Sequence, residues 1–275
     1  VPVIVGTAVA VSDGLFRAGP ALAALVAALL LQIGTNLAND LFDFKKGADT
    51  TARLGPLRVT QAGLLSPRQV LAGMWVTFAL ATLIGLYLVT VAGWPIVVIG
   101  LLSILAGIAY TGGPFPLGYH GLGDLFVFIF FGLVAVGGTY YVQAGTIRAM
   151  AWWASIPIGL LATAILVVNN LRDIETDRAA GKQTLAVRLG GRGAQLEYSF
   201  LVGLAFLIPL WMWLTDVATP WVMLAWLAMP LAIRQTRLIF QVTGRGLNQA
   251  LAGTAQLELV FGLLLSAGLI LGGLI

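Results

Sequence analysis

Cysteine is absent from this 275-residue chain, and histidine occurs once. The first absence excludes disulfides and thiolate metal centres, and the two together exclude a Cys/His cluster of the zinc type. Charge is also scarce. Only 9% of residues are Asp, Glu, Lys or Arg against 59% hydrophobic, and the mean hydropathy of +0.97 lies far outside the range of soluble domains. No basic start leads into a small-residue cleavage pattern, so a signal peptide is not expected. No polar stretch is long enough to form a soluble appendage. The net charge of +4 and pI near 9.7 call for no nucleic-acid partner, because the placement of the basic residues accounts for them.

What is present is a succession of apolar runs of about 17 to 25 residues, each able to cross the bilayer as a helix. Eight complete spans are expected near 20–41, 69–91, 94–110, 123–143, 152–171, 196–214, 218–237 and 254–274. Residues 1–12 resemble the second half of a ninth, so the sequence is expected to start inside its first helix. Residues 1–275 then form one all-α membrane domain. Of the fifteen basic residues, all but Arg17 and Arg148 fall in one set of loops, which the positive-inside rule assigns to the cytoplasm. The expected location is a bacterial inner (cytoplasmic) membrane. The 34 glycines, many within spans, suit close helix packing. Tryptophans at 94, 152, 153, 211, 213 and 221 mark span ends.

Two polar segments interrupt this pattern: NLANDLFDFKKGADT from Asn36 and NNLRDIETDRAAGKQT from Asn169. At an offset of 133, Asn36 and Asp40 fall on Asn169 and Asp173. At 134, Asp43, Gly47 and Thr50 fall on Asp177, Gly181 and Thr184. Four spans separate the copies, so both segments end on the same side. A parallel repeat around a central cavity follows, with the two Asp clusters facing each other. Gln32, Asn36, Asp40 and Asp43 share one helix face, as do Asn169, Asp173 and Asp177.

Carboxylates at the electronegative end of a helix require a cation. Asp and Asn oxygens suit a hard ion such as Mg²⁺, which takes few carboxylates and completes its shell with water and phosphate oxygens. Lys45, Lys46, Arg53, Arg58, Lys182 and Arg188 follow in loops of about 25 residues, long for a compact bundle, and can carry the remaining phosphate charge. These parts describe a diphosphate site at the cytoplasmic mouth of a membrane cavity. Polar groups this deep in apolar helices point to function rather than to a solvated helix end.

The paired segments, with RLGPLRVTQAGLLSP from Arg53 and AYTGGPFPLGYHGLGD from Ala109, resemble those of the UbiA superfamily of intramembrane aromatic prenyltransferases, across essentially the whole chain. The likeness is strongest to the branch acting on 1,4-dihydroxy-2-naphthoate. The resemblance implies a nine-helix bundle, Mg²⁺ as cofactor, and a prenyl diphosphate and an aromatic acceptor as substrates. It implies metal and diphosphate roles for Asn36, Asp40, Asp43, Asn169, Asp173 and Asp177, the four carboxylates being the catalytic set. It implies diphosphate contacts for Arg58, Gln61 and Lys182, and an acceptor side built from Tyr110, Tyr119, His120, Asp124 and Asn170. The loop after Tyr110 lacks the Lys-Arg pair of the 4-hydroxybenzoate branch, and the basic residue and Pro expected near the start of the first helix are absent.

The implied reaction is prenyl transfer with loss of the acceptor carboxylate and release of diphosphate, in menaquinone biosynthesis. Phytyl transfer to the same kind of acceptor, or a homogentisate or 4-hydroxybenzoate acceptor, are alternatives, and a transporter is a reading of another class. His120 is equally compatible with a surface place. Asp124 opens the fifth span and is read first as stabilising a helix start, with acceptor orientation the alternative, and Glu258 is read as an interfacial or packed polar residue.

Overall fold

The computed structural model describes residues 1–48 and 54–274, and every regular element among them is helical. Arg53 and Thr50 lie outside the described residues. The elements are α1 (Pro2–Ser12), α2 (Ala18–Lys45), α3 (Pro67–Ala92), α4 (Pro95–Ala109), a 3₁₀ turn at Leu117–His120, α5 (Gly123–Val127), a π-helical segment at Phe128–Val134, α6 (Ala135–Ala144), α7 (Ala149–Arg172), α8 (Ile174–Ala179), α9 (Leu185–Leu214), a 3₁₀ segment at Pro220–Ala228, α10 (Met229–Gln241) and α11 (Leu247–Gly273). An all-helical architecture satisfies each backbone polar group within its own segment, as hydrocarbon requires. Seven stretches are long and apolar enough to cross a membrane, the α5–π–α6 run and the 3₁₀–α10 run each counting as one. α1 and α4, of 11 and 15 residues, are apolar but shorter than the roughly 20 residues a full crossing needs. The nine expected spans are thus seven full-length candidates and two short helices.

Large aliphatic side chains such as Leu22, Leu83 and Leu101 stay exposed along the outer faces, which is the inverse of a water-facing surface and fits lipid. The centre of the bundle is α7. Its Ala151, Ala154, Ile158, Leu161, Ala164 and Val168 are fully enclosed by α9, α11 and α1. Close approach depends on small residues: a Cβ on Gly132 of the π segment would sit 2.8 Å from the Cα of Gly159 in α7, so neither position admits a larger residue without separating the helices.

Span boundaries differ most at α9, expected from residue 196 but beginning at Leu185. The polar RLGGRG stretch is helical rather than loop because Thr184 caps it, its Oγ1 accepting from the backbone N–H of Val187. Gly190, at φ 71°, interrupts the helix with a kink. α2 and α7 both end on the face that carries α8 and the long loops, and there the two polar segments meet.

Candidate active site

Each segment ends in the same turn. In α2 the N–H of Ala48 donates to the carbonyl of Asp43 and that of Gly47 to Phe44. In α8 the N–H of Lys182 donates to Asp177 and that of Gly181 to Arg178. Both glycines are left-handed, at φ 68° and 74°. This pair of bonds closes a helix with glycine just past its end. The 134-residue repeat is therefore a repeat of structure: Asp43, Gly47 and Ala48 match Asp177, Gly181 and Lys182 in geometry as well as in sequence. The second segment is not one continuous helix, since Asp173 stands at the break between α7 and α8.

A cavity of about 250 Å³ opens between the segments. Its wall holds Asn36, Asn39 and Asp43 from α2, Asn169 and Asn170 from α7, and Asp173, Asp177, Lys182, Arg58, Tyr110 and Tyr119 around its mouth. Lys182 joins the two segments. Its Nζ is 3.3 Å from Asp43 and 3.8 Å from Asp177. Tyr119 donates its hydroxyl to Asp43 Oδ1 at 2.7 Å, and its ring lies 4.8 Å from Lys182 Nζ and 4.5 Å from Lys46 Nζ. Lys46 donates to the carbonyl of Thr111 at 2.6 Å. Burial of that ammonium end lowers its pKa from the ordinary lysine value, Asp43 opposing the shift and Lys182 adding to it.

The other two carboxylates are engaged by partners other than Lys182. Asp40 is buried and accepts from the backbone N–H groups of Val59 and Thr60, at 3.0 and 3.2 Å. It ties the loop before α3 to α2 and is not on the cavity wall. Asp173 reaches the wall, but both its oxygens accept from Arg172, at 2.8 and 2.6 Å. Arg172 also donates to Asn169 Oδ1 and Asn248 Oδ1, each at 2.8 Å, and Asn248 donates to the carbonyl of Leu54. The first Asp of each segment thus secures the same long loop, Asp40 directly at Val59 and Thr60 and Asp173 at Leu54 through Arg172 and Asn248, while the second Asp of each faces Lys182.

Other expected residues are spread more widely. Arg188 donates to the carbonyls of His120 and Gln183, and Gln183 N–H to Tyr119, so Arg188 straps two loops together beside the cavity rather than lining it. Lys45 is exposed, 5.9 Å from the Phe42 ring, and Gln61 is off the wall. His120 stacks on Phe115 with 3.7 Å between centroids and holds the carbonyl of Pro116. Tyr110 and Asn170 do line the cavity. Asp124 is buried, and among the described residues neither of its carboxyl oxygens has a hydrogen-bond partner. Sequence reading missed Asn39, which stands four residues before Asp43 as Asn169 does before Asp173 and accepts from the Thr111 hydroxyl at 3.0 Å. It also missed Thr111, Thr176, Arg172 and Asn248. The Asn39–Asp43 spacing was a readable signal; nothing local to the sequence singles out Arg172 or Asn248.

Among the described residues no three Asp, Glu or His side chains converge as a closed metal cluster. The donor set is two carboxylates, Asp43 and Asp177, with amide oxygens from Asn36 and Asn169 nearby, and it already attracts one cation, the Lys182 ammonium. Such a set fits a hard divalent ion that draws the rest of its shell from water and phosphate.

Residues 1–271 match the UbiA prenyltransferase family. The chain is 42% identical over 246 residues to the 1,4-dihydroxy-2-naphthoate octaprenyltransferase of Escherichia coli (strain K12), a match covering 87% of this chain and 80% of that protein. In fold it resembles a UbiA homolog from Aeropyrum pernix K1, with a TM-score of 0.74 at 17% identity, over 98% of this chain and 97% of that one. A UbiA homolog from Archaeoglobus fulgidus bound to DMAPP and Mg2+ superimposes with a TM-score of 0.60 at 15% identity, over 96% and 95%.

Proposed function

The chain belongs to the UbiA prenyltransferase family, and from that premise we propose that it moves a prenyl group from a prenyl diphosphate to 1,4-dihydroxy-2-naphthoate, with loss of the acceptor carboxylate and release of diphosphate, in menaquinone biosynthesis. The observation that carries the reading is the convergence of Asp43 and Asp177, one from each repeat, on a single cavity of this family's fold. The relative at 42% identity supplies the acceptor.

Asp43 and Asp177, with Asn36, Asn39 and Asn169, would hold Mg²⁺. When bound, the ion neutralises the diphosphate as it leaves. Lys182 and Arg58 face the same cavity and stabilise the charge that develops on the departing oxygens. Lys46 adds positive potential from behind Tyr119. At about 250 Å³ the cavity falls below the roughly 300–1,000 Å³ of pockets that enclose whole ligands, so it receives the polar heads and leaves the prenyl chain to the apolar helix faces. Exclusion of water by those faces protects the allylic cation. The allylic C–O bond breaks with its electron pair going to diphosphate. The ring carbon that carries the carboxylate bonds to the allylic carbon, and the carboxylate then departs as CO2, returning its bonding pair to the ring and leaving the prenyl group in its place.

The basic loops and the mouth of the cavity share one face, so the site opens to the cytoplasm in our reading. The test is an acceptor panel with purified protein, Mg²⁺ and a labelled prenyl diphosphate. Prenylated naphthoquinol from dihydroxynaphthoate is expected, with no product from 4-hydroxybenzoate or homogentisate. Product from either of those but not from dihydroxynaphthoate overturns the acceptor assignment.

A further inference from the structure

Lys182 occupies the point that a cation between the two repeats would take. Its Nζ is 3.3 Å from Asp43 and 3.8 Å from Asp177, and its side chain is 16% exposed against 5% and 14% for the two partners. The lysine is not a by-product of the turn that presents it. The same turn in the other repeat places Ala48 there, so the turn itself accepts a small neutral residue, and at this position only the second repeat carries a charge.

We propose that Lys182 is an exchangeable counter-ion: its ammonium neutralises Asp43 and Asp177 until a divalent ion arrives together with diphosphate, and then moves from the carboxylates to the diphosphate oxygens. This rests on the reading of the cavity as the metal and diphosphate site. An ammonium and a divalent ion compete for the same carboxylate oxygens. A metal arriving alone must displace Lys182 and leave a largely buried charge without a partner, which is costly. Diphosphate supplies that partner, and a four-carbon stem with three rotatable donors is suited to the exchange. Tyr119 gives the moving charge a surface to follow, since its ring lies 4.8 Å from Nζ while its hydroxyl stays on Asp43. Metal and diphosphate binding are therefore positively coupled through one side chain, and the coupling is reciprocal.

The test measures metal binding without turnover. Mn²⁺ is titrated into the purified full chain in detergent, free Mn²⁺ being read by electron paramagnetic resonance, for wild type and Lys182→Met, with and without inorganic diphosphate at buffered free metal. A structural lysine would lower metal affinity when removed; the exchange model requires the opposite. Lys182→Met should bind Mn²⁺ alone tighter by on the order of tenfold, and diphosphate should lose most of its enhancing effect. Lys182→Gln, also uncharged, carries the same expectation if the Met variant fails to fold. Unchanged or weaker Mn²⁺ binding in a folded variant overturns the exchange while leaving the proposed activity standing. Absence of Mn²⁺ binding to wild type even with diphosphate overturns the metal-site reading beneath it.

Discussion

Arg172 grips Asp173 at two points, Nε to Oδ1 at 2.8 Å and Nη2 to Oδ2 at 2.6 Å, with the arginine side chain wholly buried. Two further donors of the same guanidinium hold Asn169 and Asn248. The planar fork is thus the part that sets the second segment against the loop at Leu54, and a lysine cannot reproduce it.

Removal of Arg172 leaves Asp173 without its partner. Arg172→Ala should destabilise the protein by about 3–5 kcal/mol, the range for breaking a buried pair. Arg172→Lys should fold with a smaller loss but turn over slowly, because Asn169 and Asp173 are no longer fixed. Thermal unfolding in detergent alongside product formation checks both, and wild-type stability in Arg172→Ala would show that the pair is not structural.

Asp40 and Asp43 differ by three positions on one helix yet should fail differently. Asp40→Ala strips two backbone N–H groups, of part-buried Val59 and buried Thr60, of their acceptor, a loss of about 1–3 kcal/mol, and frees the loop at Val59 and Thr60 for proteolysis. Asp43→Ala should keep that loop protected while turnover is lost. Limited proteolysis with an activity assay separates the two, and equal protection in both variants would contradict the anchoring role.

Gly181 is left-handed at φ 74° with open space where a Cβ would go, so its substitution costs conformation rather than contact. Gly181→Ala should lose about 1–2 kcal/mol and raise KM for the prenyl diphosphate by shifting Lys182. A KM equal to wild type in the folded variant would show that the turn does not aim the lysine.

Lys46 carries a pKa lowered chiefly by burial of its ammonium end. The sign follows directly: a depressed lysine sheds its proton at a lower pH than an ordinary one, so the positive potential it adds is lost early on the alkaline side. The kcat/KM for prenyl diphosphate should decline there. Lys46→Arg, which stays protonated, should move the midpoint of that decline to higher pH. A pH profile unmoved by the substitution removes Lys46 from the account.

Much of this site could be read from the chain because an unpaired carboxylate in hydrocarbon is costly, so the Asp segments stand out from an apolar background. The repeat at 134 was legible for the same reason a shared turn has a shared glycine, at Gly47 and Gly181. Division of labour among the carboxylates was not. Helical spacing puts Asn36, Asn39, Asp40 and Asp43 on neighbouring lines of one helix, and only the path of the loop through Val59 and Thr60 turns Asp40 away from the cavity. Arg172 looks in sequence like any positive residue at a cytoplasmic helix end; the groups that enclose it are distant in sequence, Asn248 76 residues on and Gly55 far upstream. The extension of α9 back to Leu185 was hidden because capping by Thr184 makes a polar, glycine-containing stretch helical.

The central claim is that Asp43 and Asp177 act together, through a divalent ion, on a prenyl diphosphate. Its most direct test is initial rate against free Mg²⁺ for wild type, Asp43→Asn and Asp177→Asn, each confirmed as folded, with dihydroxynaphthoate as acceptor. The account predicts no product in chelator, recovery with Mg²⁺ in wild type, and a rate reduced by about two orders of magnitude or more in either variant, as expected when charge stabilisation of a leaving group is lost. Product formed at the wild-type rate in chelator, or by either variant, would contradict it.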